Sequence, residues 1–272
     1  MLLKIGRQDR RSSAISASNE ATIVVRGRDL ARDLIGHLSF TEHFWLLVTG
    51  AMPTAAQRAV LDATLVAIAE HGMVPSVQAS RMTFAAAPEA LQGAVAAGIL
   101  GCGSVVLGSS EAAGRLFAAI ADSMDGGADI SQAAKDTIEE YRGQKRQIPG
   151  YGHPLHKQAD PRVKRLFEVA GMAGGTGRFL AIAQEVETLL PGLTGKHLAL
   201  NVSGAIPAVL LDVGFPLGAL KGIPILARTA GLIAHLLEEQ QNPIGFVLSH
   251  AGAQAITYEG EVPPGFTPSK DT

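Results

Sequence analysis

The sequence predicts an all-α protein that folds into two packed helical lobes. Helix start and stop signals bracket apolar residues that are spaced three and four apart along most of the chain. The alternating pattern of a half-buried strand is confined to ATIVVRG at 21–27. Short breaks rich in glycine and proline separate the helical stretches, an arrangement that is typical of closed helical bundles.

The first two long helices begin with capping boxes. Ser39 is followed three residues later by Glu42, and Gly50 lies where the apolar stretch ends. Thr54 is followed by Gln57 in the same way, ahead of a stripe of leucine and isoleucine. We therefore expect one helix between Ser39 and Gly50, and a second that begins after Thr54.

A later helix is indicated by a stripe of apolar residues alone. Phe179, Ile182, Val186 and Leu189 fall on one face of a helix with 3.6 residues per turn. Because proline interrupts helices, we expect this one to end at Pro191.

The most apolar part of the chain raises the question of a membrane span. Residues 198–220 are long enough to cross a bilayer, but they contain Asn201, Ser203, Asp212 and two prolines. A pair of buried helices is therefore the better interpretation. Residues 223–240 predict one more helix, which has few polar positions before its end.

The composition is that of a globular protein without an electrostatic footprint for nucleic acid. Of the 272 residues, 47% are hydrophobic and 18% are charged, and the formal net charge is −2. Cys102 is the single cysteine, which excludes an internal disulfide, and the apolar part of the N-terminus is short for a signal peptide. We expect a cytoplasmic protein with no nucleic acid and no membrane among its partners.

Simple cofactor and metal motifs are absent from the sequence. There is no Walker A sequence, and the glycines of GILGCGSVVLG, residues 98–108, do not match the dinucleotide fingerprint. Neither CxxC nor HExxH occurs, so no metal site is expected.

The strongest chemical signal is IPGYGHPLHKQADPR, residues 148–162. Gly150 and Gly152 allow the backbone to approach a ligand closely, and His153 follows at the tip of the turn. Asp160 is the expected N-cap of a helix that begins with proline. The start of that helix favours an anion, and the next residue, an arginine, adds a guanidinium suited to a carboxylate or a phosphate.

This segment resembles the signature G-[FY]-G-H-x-x-[YH]-K-x-x-D-P-R of the citrate synthase superfamily. Three further blocks resemble the family in the same order: TIVVRGRDLARDLIGHLSFTEHFWLLVTGAMPT at 22–54, EHGMVPSVQASRM at 70–82 and LARTAGLIAHLLEEQ at 226–240. The length is similar to that of short members of the citryl-CoA-lyase type, which also form the last domain of ATP-citrate lyase.

The resemblance implies a citrate synthase-like fold, which is mostly helical, two-lobed and homodimeric. A large lobe built from both chain ends is expected at 1–112 and 216–272, and a small mobile lobe at 113–215. Members of the family make or break a carbon–carbon bond between an acetyl-CoA-type enolate and a keto acid. A coenzyme A thioester and a small carboxylic acid are therefore the expected substrates, with no covalently bound cofactor.

The resemblance also assigns substrate contacts to individual residues. His153 matches the histidine that bonds the carbonyl or hydroxyl group of the keto acid, and His71 matches a second keto-acid-binding histidine. Arg162 and Arg228 match arginines that hold substrate carboxylates, with a contact to coenzyme A as the alternative for Arg162.

Three further residues are weaker matches. His235 matches a histidine of the family's helix and is expected to bind substrate, with a core or interface histidine as the alternative. Lys145 and Lys157 are candidates for contacts with the phosphates of coenzyme A.

Two catalytic positions of the family are changed. Gap-free alignment puts Val106 at the histidine of H-G-G-A-x-E and Ser203 at the aspartate of N-V-D. In the family the aspartate is the general base at the acetyl thioester, and the histidine donates to the enol oxygen. Because each such contribution is worth roughly 10²- to 10⁴-fold in rate, ordinary citrate synthase chemistry is expected to be slow or missing.

Three hypotheses follow from these matches and departures. The preferred one is citryl-CoA lyase-type cleavage, with His153 polarising the substrate and with Ser203 and Asn201 hydrogen-bonding the thioester side. The second is a lyase, hydratase or decarboxylase acting on a carboxylic acid without coenzyme A. The third is a catalytically inactive paralogue that serves as a binding or scaffold protein.

Overall fold

The computed structural model describes residues 11–152, 158–174 and 177–266. Helices make up most of these residues, so the predicted all-α fold is confirmed. The helices are α1 Phe40–Thr49, α2 Ala55–Ala69, α3 Pro75–Ala86, α4 Leu91–Leu100, α5 Ser109–Asp125, α6 Ile130–Gly143, α7 Pro161–Met172, α8 Arg178–Thr194, α9 Val202–Asp212, α10 Gly222–Gln241 and α11 Gly245–Gln254. Short π-helical turns at Leu30–Leu34 and Gly103–Leu107 and a 3₁₀ turn at Leu217–Ala219 complete the helical elements of the described residues.

A small antiparallel sheet precedes the helices. Its strands are β1 Ser16–Ser18, β2 Ile23–Val25 and β3 Arg28–Asp29, in the order β1-β2-β3. The central strand falls inside the 21–27 stretch whose alternating pattern predicted it.

Both predicted capping boxes are confirmed. The Ser39 hydroxyl accepts the N–H of Glu42, and the Glu42 carboxylate accepts the N–H of Ser39. Thr54 and Gln57 make the same reciprocal pair at the start of α2. α1 ends at Gly50, whose φ of 78° gives the left-handed C-cap that favours glycine.

The predicted end of the helix at Pro191 is wrong. α8 continues to Thr194 and ends at Gly195, where φ is 68° and the N–H bonds to the Pro191 carbonyl. Pro191 lies in the last turn, so its missing N–H costs a single helical bond. Leu190, which is fully buried, keeps the turn packed against the core, and this burial offsets the cost.

The apolar stretch at 198–220 contains one buried helix and a short turn rather than two helices. Nearly every residue of α9 is buried, whereas the second element is the 3₁₀ turn. By length and composition, Leu217–Gln241 could also cross a membrane. In the structure α10 packs against α2, α3 and α4 and carries buried Arg228 and Glu239, as the core helix of a globular fold does.

The helices enclose two main hydrophobic cores. The first lies between α5, α6, α8 and α9, and its buried residues all fall between Ala113 and Ala208. The second lies between α1, α2, α7, α9 and α10 around Trp45 and Phe215, whose ring centroids are 5.5 Å apart. α9 contributes buried residues to both cores, and Val163 and Phe167 of α7 also pack against both, so these two helices join the two halves of the fold. The division into lobes at 113–215 stays a prediction.

Candidate active site

The segment before His153 is paired with the chain that leads into α9. Tyr151 forms an antiparallel bridge with Leu200, and the Asn201 N–H donates to the Gly150 carbonyl at 2.9 Å. The Tyr151 hydroxyl donates to a backbone carbonyl of α8 at 2.8 Å, and burial raises its pKa well above the ordinary value. The segment is therefore anchored in the first core up to Gly152.

Gly150 has the backbone freedom that the sequence indicated, but it serves packing against a helix. Its φ is 89°, and a Cβ atom at this position would lie 2.8 Å from Cα of Gly204 in α9. At Gly150 the close approach is therefore between two backbones, and not between the backbone and a ligand as expected.

Asn201 ties the same segment to the start of α9. Its Oδ1 accepts the N–H groups of Ser203 and Gly204 at 2.9 and 3.3 Å, and its Nδ2 donates to the Gly152 carbonyl at 2.7 Å. These bonds use three of the four hydrogen-bonding positions of the amide. Asn201 thus holds the residue that precedes His153, and its contact with a thioester stays a prediction. His153 and Lys157 lie outside the described residues.

Asp160 joins the start of α7 to the start of α9. It is the N-cap of α7, as predicted, and its Oδ2 accepts the Val202 N–H at 3.0 Å. Its two oxygens also accept Nε and Nη2 of Arg162 at 2.9 and 2.8 Å. Burial alone would raise the pKa of Asp160, but the hydrogen bonds from Arg162 and Val202 hold that pKa below its ordinary value.

Arg162 is therefore already engaged in an ion pair with a protein carboxylate. Asp160 occupies the edge of the guanidinium formed by Nε and Nη2, so the Nη1 side is the part left for a ligand anion. Arg162 also lines an apolar groove of about 430 Å³ between α2 and α7. The groove is lined by Ala63, Val66, Ala67, Pro161, Arg162, Arg165, Leu166 and Val169.

His71 begins the turn from α2 to α3, and the preceding residue fixes that turn. Oε1 of Glu70 accepts the N–H groups of His71 and Gly72 at 2.8 and 2.5 Å. Oε2 of Glu70 lies 3.0 Å from Nε2 of His235 on α10. Burial works against ionisation of Glu70, but the hydrogen bonds from His235 and from the two backbone groups lower its pKa.

Arg228 lies two helical turns before His235, on the same side of α10. Gly231 lies between them, and a Cβ atom at this position would collide with the Ala69 carbonyl and Glu70, so this side of α10 faces the end of α2. The Arg228 side chain is buried, and its Nε and Nη1 have no hydrogen-bond partner among the described residues. A buried guanidinium without a partner is costly, and it is suited to a carboxylate that arrives with a ligand.

A second buried arginine supports this region from α3. Nε of Arg81 lies 2.5 Å from Glu239, and its Nη1 lies 2.6 Å from Glu238 and 3.5 Å from Nδ1 of His235. Oε1 of Glu239 accepts the N–H groups that open α11, and its pKa is lowered because the bonds from Arg81 and these N–H groups outweigh burial. We did not expect Arg81, Glu239 or Glu70 at the site from the sequence. For Arg81 and Glu239 the available signal is a charged residue inside a helix that is otherwise largely apolar, whereas Glu70 follows the end of α2.

The structure shows fewer contacts for the remaining predicted residues. Ser203 is the second residue of α9, is half-buried and is capped through its N–H by Asn201. Val106 falls in the π-helical turn before α5, and its side chain lies outside the described part of the chain. Lys145 is exposed after α6 in a left-handed conformation, with φ of 54°.

The structure brings the candidate residues together in two groups on neighbouring elements. Asn201, Ser203 and Arg162 lie around the start of α9, whereas His71, Arg228 and His235 lie where α2 meets α10. α2 packs against α7, α9 and α10, so it lies between the two groups. Among the described residues, no cluster of three or more His, Cys, Asp or Glu side chains could hold a metal ion.

Comparison with known proteins identifies relatives for most of the chain. Residues 57–245 match the family model for the C-terminal domain of citrate synthase. The citrate/2-methylcitrate synthase of Bacillus subtilis is 27% identical over 210 residues, which cover 75% of this chain and 54% of that protein. The chain spans about half the length of the curated relatives it matches.

Solved structures include relatives of similar fold, one of them of similar length. Citryl-CoA lyase from Hydrogenobacter thermophilus is 33% identical, with a TM-score of 0.81 and coverage of 94% of this chain and 97% of that one. ATP citrate lyase from Methanothrix soehngenii, solved with citrate and coenzyme A, gives a TM-score of 0.77 at 23% identity. That match covers 97% of this chain and 44% of the lyase. The predicted resemblance and the predicted citrate synthase-like fold are confirmed.

Proposed function

Because the chain belongs to the citrate synthase family, we propose that it makes or breaks a carbon–carbon bond between a coenzyme A thioester and a carboxylic acid. The preferred form is cleavage of a citryl-CoA-like substrate into a keto acid and an acetyl thioester. The higher identity and TM-score with a citryl-CoA lyase, 33% and 0.81, than with the citrate synthase of Thermotoga maritima, 21% and 0.63, support that form.

The observation that carries the proposal is that Nε and Nη1 of the buried Arg228 side chain have no hydrogen-bond partner among the described residues. A protein gains nothing in stability from burying a cation without a partner, so the arrangement favours a ligand that supplies the negative charge. A di- or tricarboxylate has such a charge, and the Nη1 side of Arg162 offers a second anion contact on a neighbouring element.

The bound acid would then undergo a retro-aldol cleavage. The hydroxyl proton of the substrate is removed, the carbon–carbon bond breaks, the keto carbonyl forms, and the acetyl-CoA enolate takes up a proton. His153 would polarise the hydroxyl or the nascent carbonyl, and His71 would provide the second contact to this acid. Ser203 and Asn201 would face the thioester. Because a serine hydroxyl is not ionised near neutral pH, Ser203 would accept a proton only weakly there.

Coenzyme A is the proposed co-substrate, and the groove beside Arg162 supports this. It combines apolar lining from α2 and α7 with two guanidinium groups, those of Arg162 and Arg165. A ligand with an apolar arm and phosphates matches that combination. Lys145 and Lys157 would add charge for the phosphates, and no covalently bound cofactor takes part.

The test is formation of oxaloacetate from citryl-CoA. We expect turnover by the wild-type protein that is slower than in relatives with an intact histidine and aspartate, and a further fall in His153→Ala. Equal rates for the wild type and His153→Ala would contradict the lyase proposal.

The replacements Val106 and Ser203 favour a second candidate, a protein that binds the family's ligands without turning them over. Calorimetry separates the possibilities. Binding of citrate and coenzyme A without turnover supports the binding protein, whereas binding of a keto acid without coenzyme A supports a lyase, hydratase or decarboxylase acting on a free acid.

A further inference from the structure

We propose that Glu70 and His235 act as a positioning pair that fixes the turn at His71. This inference rests on the proposed function, in which His71 contacts the carboxylic acid substrate. It assigns His235 an indirect role instead of the direct substrate contact that its family match implied.

Glu70 holds the backbone of the turn through one oxygen and is itself held through the other. Oε1 accepts the N–H groups of His71 and Gly72 at 2.8 and 2.5 Å, and Oε2 lies 3.0 Å from Nε2 of His235. A carboxylate bound only to the two adjacent N–H groups could rotate about its own side-chain bonds. The contact with His235 fixes the orientation of the carboxylate and therefore that of the peptide groups at His71.

The orientation of His235 is set from its other side by Arg81. A guanidinium only donates hydrogen bonds, so Nδ1 of His235, 3.5 Å from Nη1 of Arg81, is the acceptor. In a neutral imidazole the proton then lies on Nε2, the atom that faces Glu70. Glu238 also approaches Nδ1, at 3.9 Å, and its carboxylate bonds the same Nη1 of Arg81.

Buried groups hold this arrangement in place. Arg81 and Glu239 are each about 1% exposed and are bonded to each other, so the donor beside His235 cannot move freely. Gly231, one turn before His235, lies against the Ala69 carbonyl with no room for a side chain. The close approach of α10 to the end of α2 thus brings His235 within reach of Glu70.

Both ring nitrogens of His235 therefore face protein groups. The described contacts run in one continuous series from Arg81 to His235, then to Glu70 and to the His71 backbone. Removal of the imidazole would leave α2 and α10 packed through Gly231 while releasing Oε2 of Glu70. The effect on ligand binding should then pass through His71 and be specific to the acid that His71 contacts.

Calorimetry on the full chain tests this specificity, with oxaloacetate and coenzyme A as separate probes. The proteins are the wild type, His71→Ala, His235→Ala and the double variant. We expect His235→Ala to weaken oxaloacetate binding about tenfold and coenzyme A binding less than about twofold. The double variant should bind oxaloacetate no more weakly than His71→Ala does. Additive losses in the double variant, or equal losses for both probes, would overturn the proposal.

Two matched variants separate positioning from a loss of packing. His235→Gln keeps an N–H donor for Oε2 of Glu70 and should recover most of the oxaloacetate affinity. Glu238→Gln removes the charge on the far side of the imidazole but keeps an oxygen that can accept from Nη1 of Arg81, so it should leave that affinity within about twofold. Failure of His235→Gln to recover any affinity, or a tenfold loss in Glu238→Gln, would argue against the pair.

Hydrogen exchange gives an outcome that does not depend on the proposed function. If the wild type binds no oxaloacetate, the proposed function fails, and the pair is judged by exchange of the His71 and Gly72 amides. Faster exchange at these amides in His235→Ala than in Glu238→Gln supports the pair, because both amides bond to Glu70. Equal exchange in the two variants overturns it.

Discussion

Two buried arginines on contacting helices differ in what surrounds them. Arg81 on α3 bonds Glu239, Glu238 and a backbone carbonyl, so its charge is compensated within the protein. Arg228 on α10 has Nε and Nη1 buried without a partner among the described residues. Because burying an uncompensated charge is costly, Arg81 has the features of a structural ion pair and Arg228 those of a ligand contact.

Because Arg81 is paired and Arg228 is not paired within the described residues, replacing each with methionine should affect stability in opposite ways. Arg228→Met removes an unpaired cation and fills a similar volume, so the free energy of unfolding should stay unchanged or rise by up to about 2 kcal/mol. Oxaloacetate affinity should fall at least about tenfold, because the carboxylate contact is lost. Urea unfolding and calorimetry measure the two quantities.

Arg81→Met is the matched control for this prediction. It leaves the Glu239 carboxylate buried without its cation and should cost about 3 kcal/mol or more of stability. If Arg228→Met destabilises the protein as much as Arg81→Met does, Arg228 is a structural residue and its assignment to the ligand is wrong.

At the scale of elements, the start of α9 organises the candidate site. The Asn201 side chain holds Gly152, and the Val202 N–H bonds Asp160 at the start of α7. Residues on both sides of the 153–157 segment are thereby attached to the same helix terminus. Asp160 is central to the attachment on the α7 side, because its carboxylate binds the Val202 N–H and also the side chain and backbone of Arg162.

The lowered pKa of Asp160 gives this attachment a pH dependence. A carboxyl group whose pKa is lower in the folded state stabilises the fold above its unfolded pKa, about 4, and loses that contribution as the pH falls through its folded value. Asp160→Asn should therefore cost about 1–2 kcal/mol at pH 7. The difference from the wild type should shrink as the pH approaches 3.

Urea unfolding at pH 7 and near pH 3 checks this expectation. Asp136→Asn serves as the control, because Asp136 is an exposed carboxylate on α6 that bonds only Gln132 among the described contacts. A difference between the wild type and Asp160→Asn that stays constant with pH would indicate that the charge of Asp160 is unimportant for the attachment.

The sequence predicted local features of these elements and missed the distant ones. The caps at Ser39, Thr54 and Asp160 were predictable because each depends on residues within three positions. The pairing of Arg81 with Glu239 joins positions 158 apart, so a pattern along one helix does not reveal it. Likewise, the end of α8 at Gly195 depends on burial of its last turns rather than on Pro191.

The candidate site residues also divide into those that a local motif predicts and those that depend on contacts between distant parts of the chain. Motif matching selected Arg228, Arg162 and His71, but it did not reveal that Asp160 already occupies one edge of Arg162. It also could not assign Glu70, because the function of that carboxylate depends on the packing of α10 against the end of α2.

At the scale of the whole molecule, the two C-terminal helices carry several large exposed apolar side chains. α10 and α11 contribute Ile233, Leu237, Phe246 and Val247, which are between 50% and 70% exposed. Phe246 also lines a groove of about 470 Å³ between the α3–α4 hairpin and the two C-terminal helices. Large apolar residues left exposed on a helix are typical of a protein–protein interface.

We propose that the exposed apolar surface of α10 and α11 is where two copies of the chain associate, in agreement with the homodimer implied by the family resemblance. The wild type should be dimeric at micromolar concentration, and Phe246→Glu should shift it towards the monomer, because a buried charge without a partner opposes association. Sedimentation velocity measures the shift. Val66→Glu is the control, since Val66 is 73% exposed on α2 and lines the groove with α7 instead of the groove beside Phe246. A wild type that sediments as a monomer, or a Val66→Glu variant that dissociates as readily as Phe246→Glu, would contradict the assignment.

The Phe246→Glu variant also tests the His71 turn, because Glu239, the buried partner of Arg81, lines the same groove as Phe246. A monomeric variant that still binds oxaloacetate would show that the turn is held within one subunit.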